Sequence, residues 1–327
     1  MPSLRRVCSP SMTIQVDKRA AAAGTEGFLQ QQRPRYGEWA IKAILFTAAS
    51  VAVATTVAII VALAVPTIEF FSEVPITEFL FGTTWTALFT PPEFGVIPLV
   101  TGTLVITVIA CIVALPLGLG SAVYLSEYAP ERVRQVLKPT LEVLAGIPTV
   151  VYGFFALTFM TPILQSIVPG DSLPGTFNAL SAGLIMGVMI IPTVASLSED
   201  AMAAVPNSLR QGAFALGSNK RQVSTRVVVP AALSGIAAAF ILGISRAIGE
   251  TMIVTVAAGL LAKVSFNPLE QMSTMTAFIA AAGSGDVPTG SIEYKTIFAV
   301  GSLLFVFTFF LNMLSIRLVR KYREVYE

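Results

Sequence analysis

Residues 94–126 read FGVIPLVTGTLVITVIACIVALPLGLGSAVYLS, 33 positions without a charged side chain. About 20 apolar residues in helical form cross the hydrocarbon core of a bilayer, so this run holds one span with flanks to spare. Working outward, charge-free runs recur at 43–68, 143–170, 172–198 and 296–316, and a further run, 227–262, is broken only by Arg246 and Glu250. The whole chain of 327 residues is 54% hydrophobic and 12% charged, with mean hydropathy +0.77. Soluble proteins carry about twice that share of charge. These features predict an all-α integral membrane protein of six transmembrane helices, at about 43–66, 97–124, 143–168, 176–198, 230–262 and 296–316. The transmembrane body 43–316 then lies between an N-terminal arm, 1–42, and a basic tail, 317–327. A seventh apolar stretch, Gln271–Gly285, is short and rich in Ser, Thr and Gly, which fits an interfacial or re-entrant helix.

The charges set the orientation. Arg5, Arg6, Lys18, Arg19, Arg33, Arg35 and Lys42 lie in the arm, and Arg132, Arg134 and Lys138 follow span two. Arg210, Lys220, Arg221 and Arg226 follow span four, and Arg317, Arg320, Lys321 and Arg323 form the tail. Eighteen of the 21 basic residues thus fall on one side, against Lys263 and Lys295 on the other. The positive-inside rule makes the crowded side, with both termini, cytoplasmic. The first 42 residues lack the compact apolar region of a cleavable signal. Histidine is absent, which excludes Ser-His hydrolases and His-ligated zinc. Cys8 and Cys111 are too few for a disulfide framework or a Cys-rich metal site. A net charge of +2 gives no bulk argument for nucleic acid. No GxxxxGK[ST] loop is present, so no ATP site of the P-loop kind exists on this chain. Catalytic and metal-ligating residues are therefore expected to be absent.

The loops differ in kind. Glu69–Glu93 carries Glu69, Glu73, Glu78 and Glu93 together with Phe70, Phe71, Phe79, Phe81, Trp85 and Phe89. It reads as an aromatic interfacial belt, a docking surface for an external partner, or both. Glu127–Lys138 reads as an amphipathic interfacial helix opened by Pro130, and Glu142 as a neighbour of Lys138 one turn away. Asp171, among Pro169, Gly170, Pro174 and Gly175, separates spans three and four. The loop 199–226 is long for a plain connector. It predicts one short helix opened by Glu199 and Asp200 and another after Pro206, with Leu209, Ala213 and Leu216 on one face and a break at Gly217.

Inside the fifth span, Arg246 and Glu250 are spaced i and i+4, which places them on one helix face where they can pair. Each is costly at the bilayer centre, by about 2.5–3.5 kcal/mol on insertion scales. The pair is either a staple between helices or a cationic step for an anion with Glu250 moderating the grip of Arg246. Ala231, Gly235, Ala239, Gly243, Ala247 and Thr251 recur every four residues as a ridge for close helix packing. In span three, Pro148 predicts a kink, and Tyr152 and Gly153 follow it.

The loop 199–226 resembles the coupling motif of ATP-binding-cassette (ABC) importers. Gln211-Gly212-Ala213 stands where the motif has Glu-Ala-Ala, Gly217 follows three residues later, and Val227-Val228-Val229-Pro230 nine residues after that. The motif's carboxylate is replaced by Gln211, and its middle alanine by Gly212. The segments Ser245–Met252 and Leu141–Gly153 are similar to those of the phosphate-specific transport (Pst) permeases. Phe81-Gly82, Trp85, Phe94–Leu99 and Thr101–Thr103 resemble the C-type subunit of that family. The resemblance implies a type I ABC importer permease (MetI-like) fold in the bacterial inner membrane, carrying inorganic phosphate. It also implies a second, A-type permease, an ATPase subunit dimer that holds ATP and Mg on the cytoplasmic side, and an external phosphate-binding protein. Arg246, Glu250, Ser245, Thr251 and Tyr152 are the expected substrate pathway. Gln211, Gly212, Ala213, Gly217 and Pro230 are the expected ATPase contact. A permease for sulfate or molybdate, an ion-coupled secondary transporter and a membrane scaffold are the other readings of the same chain.

Overall fold

The computed structural model describes residues 36–167 and 175–321. The greater part of the predicted arm, Cys8, the Asp171 cluster and Arg323 lie outside the described residues. By packing the chain divides into two units, Met1–Ile59 and Ile60–Glu327. The described part of the first unit is the opening stretch of α1 (Tyr36–Glu73), whose residues from Glu38 to Ile59 are exposed within this chain.

In the second unit the described elements are helical. They are α2 (Ile76–Phe81), α3 (Ile97–Val123) with a π turn over Tyr124–Tyr128, and α4 (Glu131–Ala145). Next come α5 (Thr149–Phe155), a π turn over Ala156–Met160, and α6 (Thr161–Ile167). After α7 (Ala179–Ala203) and α8 (Asn207–Ala215) come α9 (Lys220–Val223), a π turn over Ser224–Val228, and α10 (Val229–Ala231). The chain ends with α11 (Leu233–Ile248), α12 (Met252–Ala257), α13 (Met275–Ser284) and α14 (Ile292–Lys321). Among the described residues five segments are long and apolar enough to cross a membrane, and a sixth forms if α9–α10 and α11, bent by 71°, count as one span. α13, at 10 residues, is too short to cross, in keeping with the re-entrant reading of its sequence.

The core is a pair of parallel helices, α3 and α7, fused through small residues. A Cβ on Gly183 would lie 2.7 Å from Ile109, one on Gly187 2.8 Å from Val113, and one on Gly118 2.7 Å from Val194. The indices rise together, so both helices run the same way and the chain must cross back between them. Without a hydrophobic drive between helices in lipid, such close approach supplies the association. Gly187→Leu, whose Cβ would also meet the Ala110 carbonyl at 2.9 Å, is expected to prevent stable accumulation of the protein; wild-type amounts of the variant in detergent extracts would contradict this packing.

α11 lies antiparallel on α7, with Gly243 against Val194 and Ile190 and Gly235 against Ala201. The predicted small-residue ridge therefore exists from Gly235 to Ala247. It does not begin at Ala231, because the helix breaks at Ala232, nor reach Thr251, which lies beyond the end of α11.

At one end of the bundle Phe70 is fully buried, with ring centroids 5.3–5.6 Å from Phe71, Phe79 and Phe94, and Trp85 meets Phe278 at 4.8 Å. Most of the aromatic residues predicted as a belt or docking face are thus core, since edge-to-face rings pack against one another better than they face solvent. Phe81 and Phe89 stay exposed. Glu69 and Glu73 both reach Lys295 of α14, Glu73 at 2.9 Å.

Candidate translocation and coupling sites

Span three begins later than predicted. Gly146 ends α4, and Pro148, with φ −55° and ψ 132°, caps the start of α5. The residue before the proline is barred from helical backbone, so a break replaces the predicted kink. Residues 143–145 belong to the amphipathic α4 and the span is Thr149–Ile167. Tyr152 donates to the Leu144 carbonyl at 3.0 Å across this break and lies within electrostatic reach of Arg246. Gly153 lets α5 press on α12, where a Cβ would stand 3.2 Å from the Met252 carbonyl.

The fifth span is broken as well, and the break changes the reading of its two charges. α11 ends at Ile248, Gly249 is its C-cap, and α12 starts at Met252. Arg246 therefore occupies the last turn of one helix, and Glu250 precedes the first turn of the next. They do not share a helix face, and the described salt bridges do not include one between them. Each charge instead sits at the helix end whose dipole favours it, the cation at a C-terminus and the anion at an N-terminus. Glu250 is 7% exposed, and its Oε1 accepts from the backbone N–H of Met252 at 3.1 Å and of Ile253 at 3.4 Å. Its own carbonyl accepts the Thr276 hydroxyl at 2.6 Å, and the Thr251 hydroxyl donates to the Gly249 carbonyl at 3.3 Å. Non-helical backbone inside a membrane must have its polar groups satisfied by protein, and here the side chains of Glu250, Thr251 and Thr276 satisfy it.

Arg246 is half-buried and donates through Nη1 to Thr193 Oγ1 of α7 at 2.8 Å. A guanidinium has five N–H donors, so the remainder stay available to an anion. Ser245 donates to Asn312 Oδ1 of α14 at 3.3 Å and so faces a different helix from Arg246. The structure thus gathers Arg246, Glu250 and Thr251 at one break, with Tyr152 nearby and Ser245 turned to α14. Thr193, Thr276 and Asn312 were missed by sequence reading. Only Thr276 carried a signal, the Ser/Thr-rich composition of its segment. Among the described residues no group of three His, Cys, Asp or Glu side chains comes together to hold a metal.

Near the C-terminal end of α7 lies a second charged cluster. Glu199 and Asp200 do not open a helix, for α7 runs on to Ala203. They fall in its last turns, where the dipole disfavours anions. α4 compensates: Arg134 is bonded to Glu199 Oε1, and Lys138 Nζ reaches Glu199 Oε2 at 2.7 Å and Asp200 Oδ1 at 2.6 Å. Lys138 is thus committed to α7 rather than to Glu142. The Asp200 and Glu199 carboxylates hold its pKa above the usual lysine value, and partial burial opposes them.

α8 carries the predicted coupling residues. Arg210 donates to Glu127 Oε1 at 3.1 Å, to the Met202 carbonyl at 2.8 Å and to the Val205 carbonyl. One guanidinium thereby ties α8 to the end of α7 and to the π turn after α3. The helix ends in a Schellman motif, with Gly217 N–H to Phe214 O at 2.9 Å and Ser218 N–H to Ala213 O at 3.1 Å. Gly217 has φ +81°, a conformation that costs other residues about 1–2 kcal/mol. Leu209 and Ala213 pack inward, whereas Leu216 is 88% exposed and does not share their face. Gly212 and Gly217 both border open space, Gln211 is exposed and Phe214 is 48% exposed. Pro230 lies in α10, at the bend into α11.

Residues 114–324 match the family model described as "Binding-protein-dependent transport system inner membrane component". The chain is 36% identical over 285 residues to the probable ABC transporter permease protein YqgH of Bacillus subtilis, covering 86% of this chain and 90% of that protein. It is 35% identical over 248 residues to the phosphate transport system permease protein PstC 1 of Mycobacterium tuberculosis, covering 70% and 73%. For PstC of Mesorhizobium japonicum the identity is 33% over 234 residues, covering 66% and 71%. Among solved structures, a bacterial alginate ABC transporter superposes with TM-score 0.62 at 15% identity, covering 89% of this chain and 98% of that one. An inward-facing MetNI methionine transporter gives TM-score 0.51 at 18% identity, covering 70% and 95%. These two likenesses establish the importer-permease, MetI-like fold. By the family match and by relatives that it spans over most of their length, this chain belongs to the binding-protein-dependent transport system inner membrane components and is a multi-pass transport subunit rather than an enzyme.

Proposed function

We propose that this chain is the C-type permease subunit of an ATP-driven importer of inorganic phosphate. The observation that carries the reading is Arg246, a half-buried cation at a helix break inside the bundle whose charge no carboxylate pairs among the described residues. An intramembrane cation at a discontinuous helix suits an oxyanion in transit, and the fork of a guanidinium suits phosphate. The relatives named as phosphate permeases point to the same substrate.

The translocation path forms between this chain and an A-type permease. An external phosphate-binding protein delivers the anion at the end of the bundle that bears the buried aromatic cluster. Both termini and the end bearing α4 and α8 face the cytoplasm. There a dimer of separate ATPase subunits holds ATP and Mg and grips the open surface around Gln211, Gly212, Phe214 and Gly217. ATPase closure pulls α8, and Arg210 passes the motion to the π turn after α3, through Glu127, and to the end of α7, through Met202. Purification of the complex tests this reading: an ATPase subunit should accompany the chain, and phosphate uptake into proteoliposomes should require ATP. Gly217→Val should leave assembly intact but lower the phosphate moved per ATP hydrolysed several-fold. Unchanged coupling in that variant would rule out this surface as the docking site.

A further inference from the structure

We infer that Thr193 of α7 is the second anion donor of the Arg246 site, so that guanidinium and hydroxyl bind the transported oxyanion together. This rests on the reading of Arg246 as part of the phosphate path. Thr193 Oγ1 accepts from Arg246 Nη1 at 2.8 Å, and a hydroxyl that accepts still has a hydrogen to give. Other threonines of this chain return that hydrogen to the carbonyl four residues back: Thr101 to Ile97, Thr158 to Phe154, Thr255 to Thr251 and Thr308 to Leu304, at 2.7–2.8 Å. The Thr193 hydrogen has no acceptor among the described residues, although Thr193 occupies a helix of the same kind.

Both members of the pair are half-buried, so their remaining donors are accessible without being fully solvated. A cation donating to a hydroxyl polarises it and strengthens the bond its hydrogen makes next. The hydroxyl is rigidly placed, because α7 is locked to α11 by Gly243 against Val194, the residue next to Thr193. Glu250, the carboxylate of the same break, turns its Oε1 to the amides of Met252 and Ile253. An oxyanion between Arg246 and Thr193 would take one charge-assisted bond from each side.

The test uses the intact complex in proteoliposomes supplied with phosphate-loaded binding protein, with inorganic phosphate as the probe. Thr193→Val keeps the shape and removes the hydroxyl; Thr193→Ser keeps the hydroxyl. The Val variant should assemble as the wild type does and lose about ten-fold or more in ATP-driven uptake, the scale of one hydrogen bond to a charged group. The Ser variant should retain most of it. Wild-type uptake by the Val variant, or equal loss in both variants, would overturn the inference. Arg246→Gln in the same assay separates the two levels: if it is inactive while Thr193→Val is normal, only the role of Thr193 falls. If both transport normally, the pathway reading falls too.

Discussion

Arg246→Gln is expected to lower ATP-driven phosphate uptake at least about 100-fold while the complex still assembles and the external protein still binds phosphate. The estimate takes the guanidinium as giving the anion two bonds, each worth roughly 1.5–3 kcal/mol when the acceptor is charged. Glutamine stops two bonds short of Nη1 and gives up the bond to Thr193, but the contact between α11 and α7 is retained by Gly243 against Val194 and Ile190 and by Gly235 against Ala201. Removing the charge relieves the helix of an insertion cost, which favours rather than hinders folding. Loss of transport without loss of assembly is therefore the signature of a pathway residue. Near-normal uptake would reduce Arg246 to a tie between helices.

The second large effect concerns the cluster around Glu199, whose side chain is 1% exposed while Arg134 and Lys138 are 33% and 29% exposed. Removing both cations, as in Arg134→Met with Lys138→Met, strands a buried carboxylate. Stranding one partner of a buried pair costs about 3–5 kcal/mol, and the partial exposure of the two cations places this case toward the lower figure. Adding Glu199→Leu to the double variant should restore most of that stability, because a fully apolar replacement leaves no charge without water or partner. Thermal unfolding of the purified protein compares the two. Equal destabilisation of the double and triple variants would show that these charges do not hold α4 to α7 as a buried unit.

The spans that could be read from composition were those whose helices are continuous. The predicted 97–124 is α3 almost to the residue, the predicted 176–198 overlaps α7 from Ala179 onward, and the predicted 296–316 falls inside α14. The fifth span could not be read this way. Apolar composition runs through Gly249, Glu250 and Thr251, and nothing local announces that a Glu side chain and a distant Thr276 will satisfy the backbone there. The i, i+4 rule applied to Arg246 and Glu250 presumed a helix that the fold interrupts. For the same reason Glu199 was read as a helix start. Acids favour the first turn of a helix, but these are held in the last turns by cations from α4, 61 and 65 positions earlier in the chain. Turn chemistry fared better. Gly217, a break by its sequence, stands at positive φ, and Pro206, a helix start by its sequence, is the N-cap of α8.

Transport selectivity decides whether this chain carries phosphate in an ATP-driven complex. Labelled phosphate uptake by proteoliposomes holding the full complex would be followed with ATP, without ATP, and with a large excess of sulfate or molybdate. Uptake should need ATP and persist in the presence of both competitors. Uptake that runs without ATP, or that sulfate or molybdate suppresses as well as unlabelled phosphate does, would contradict that role.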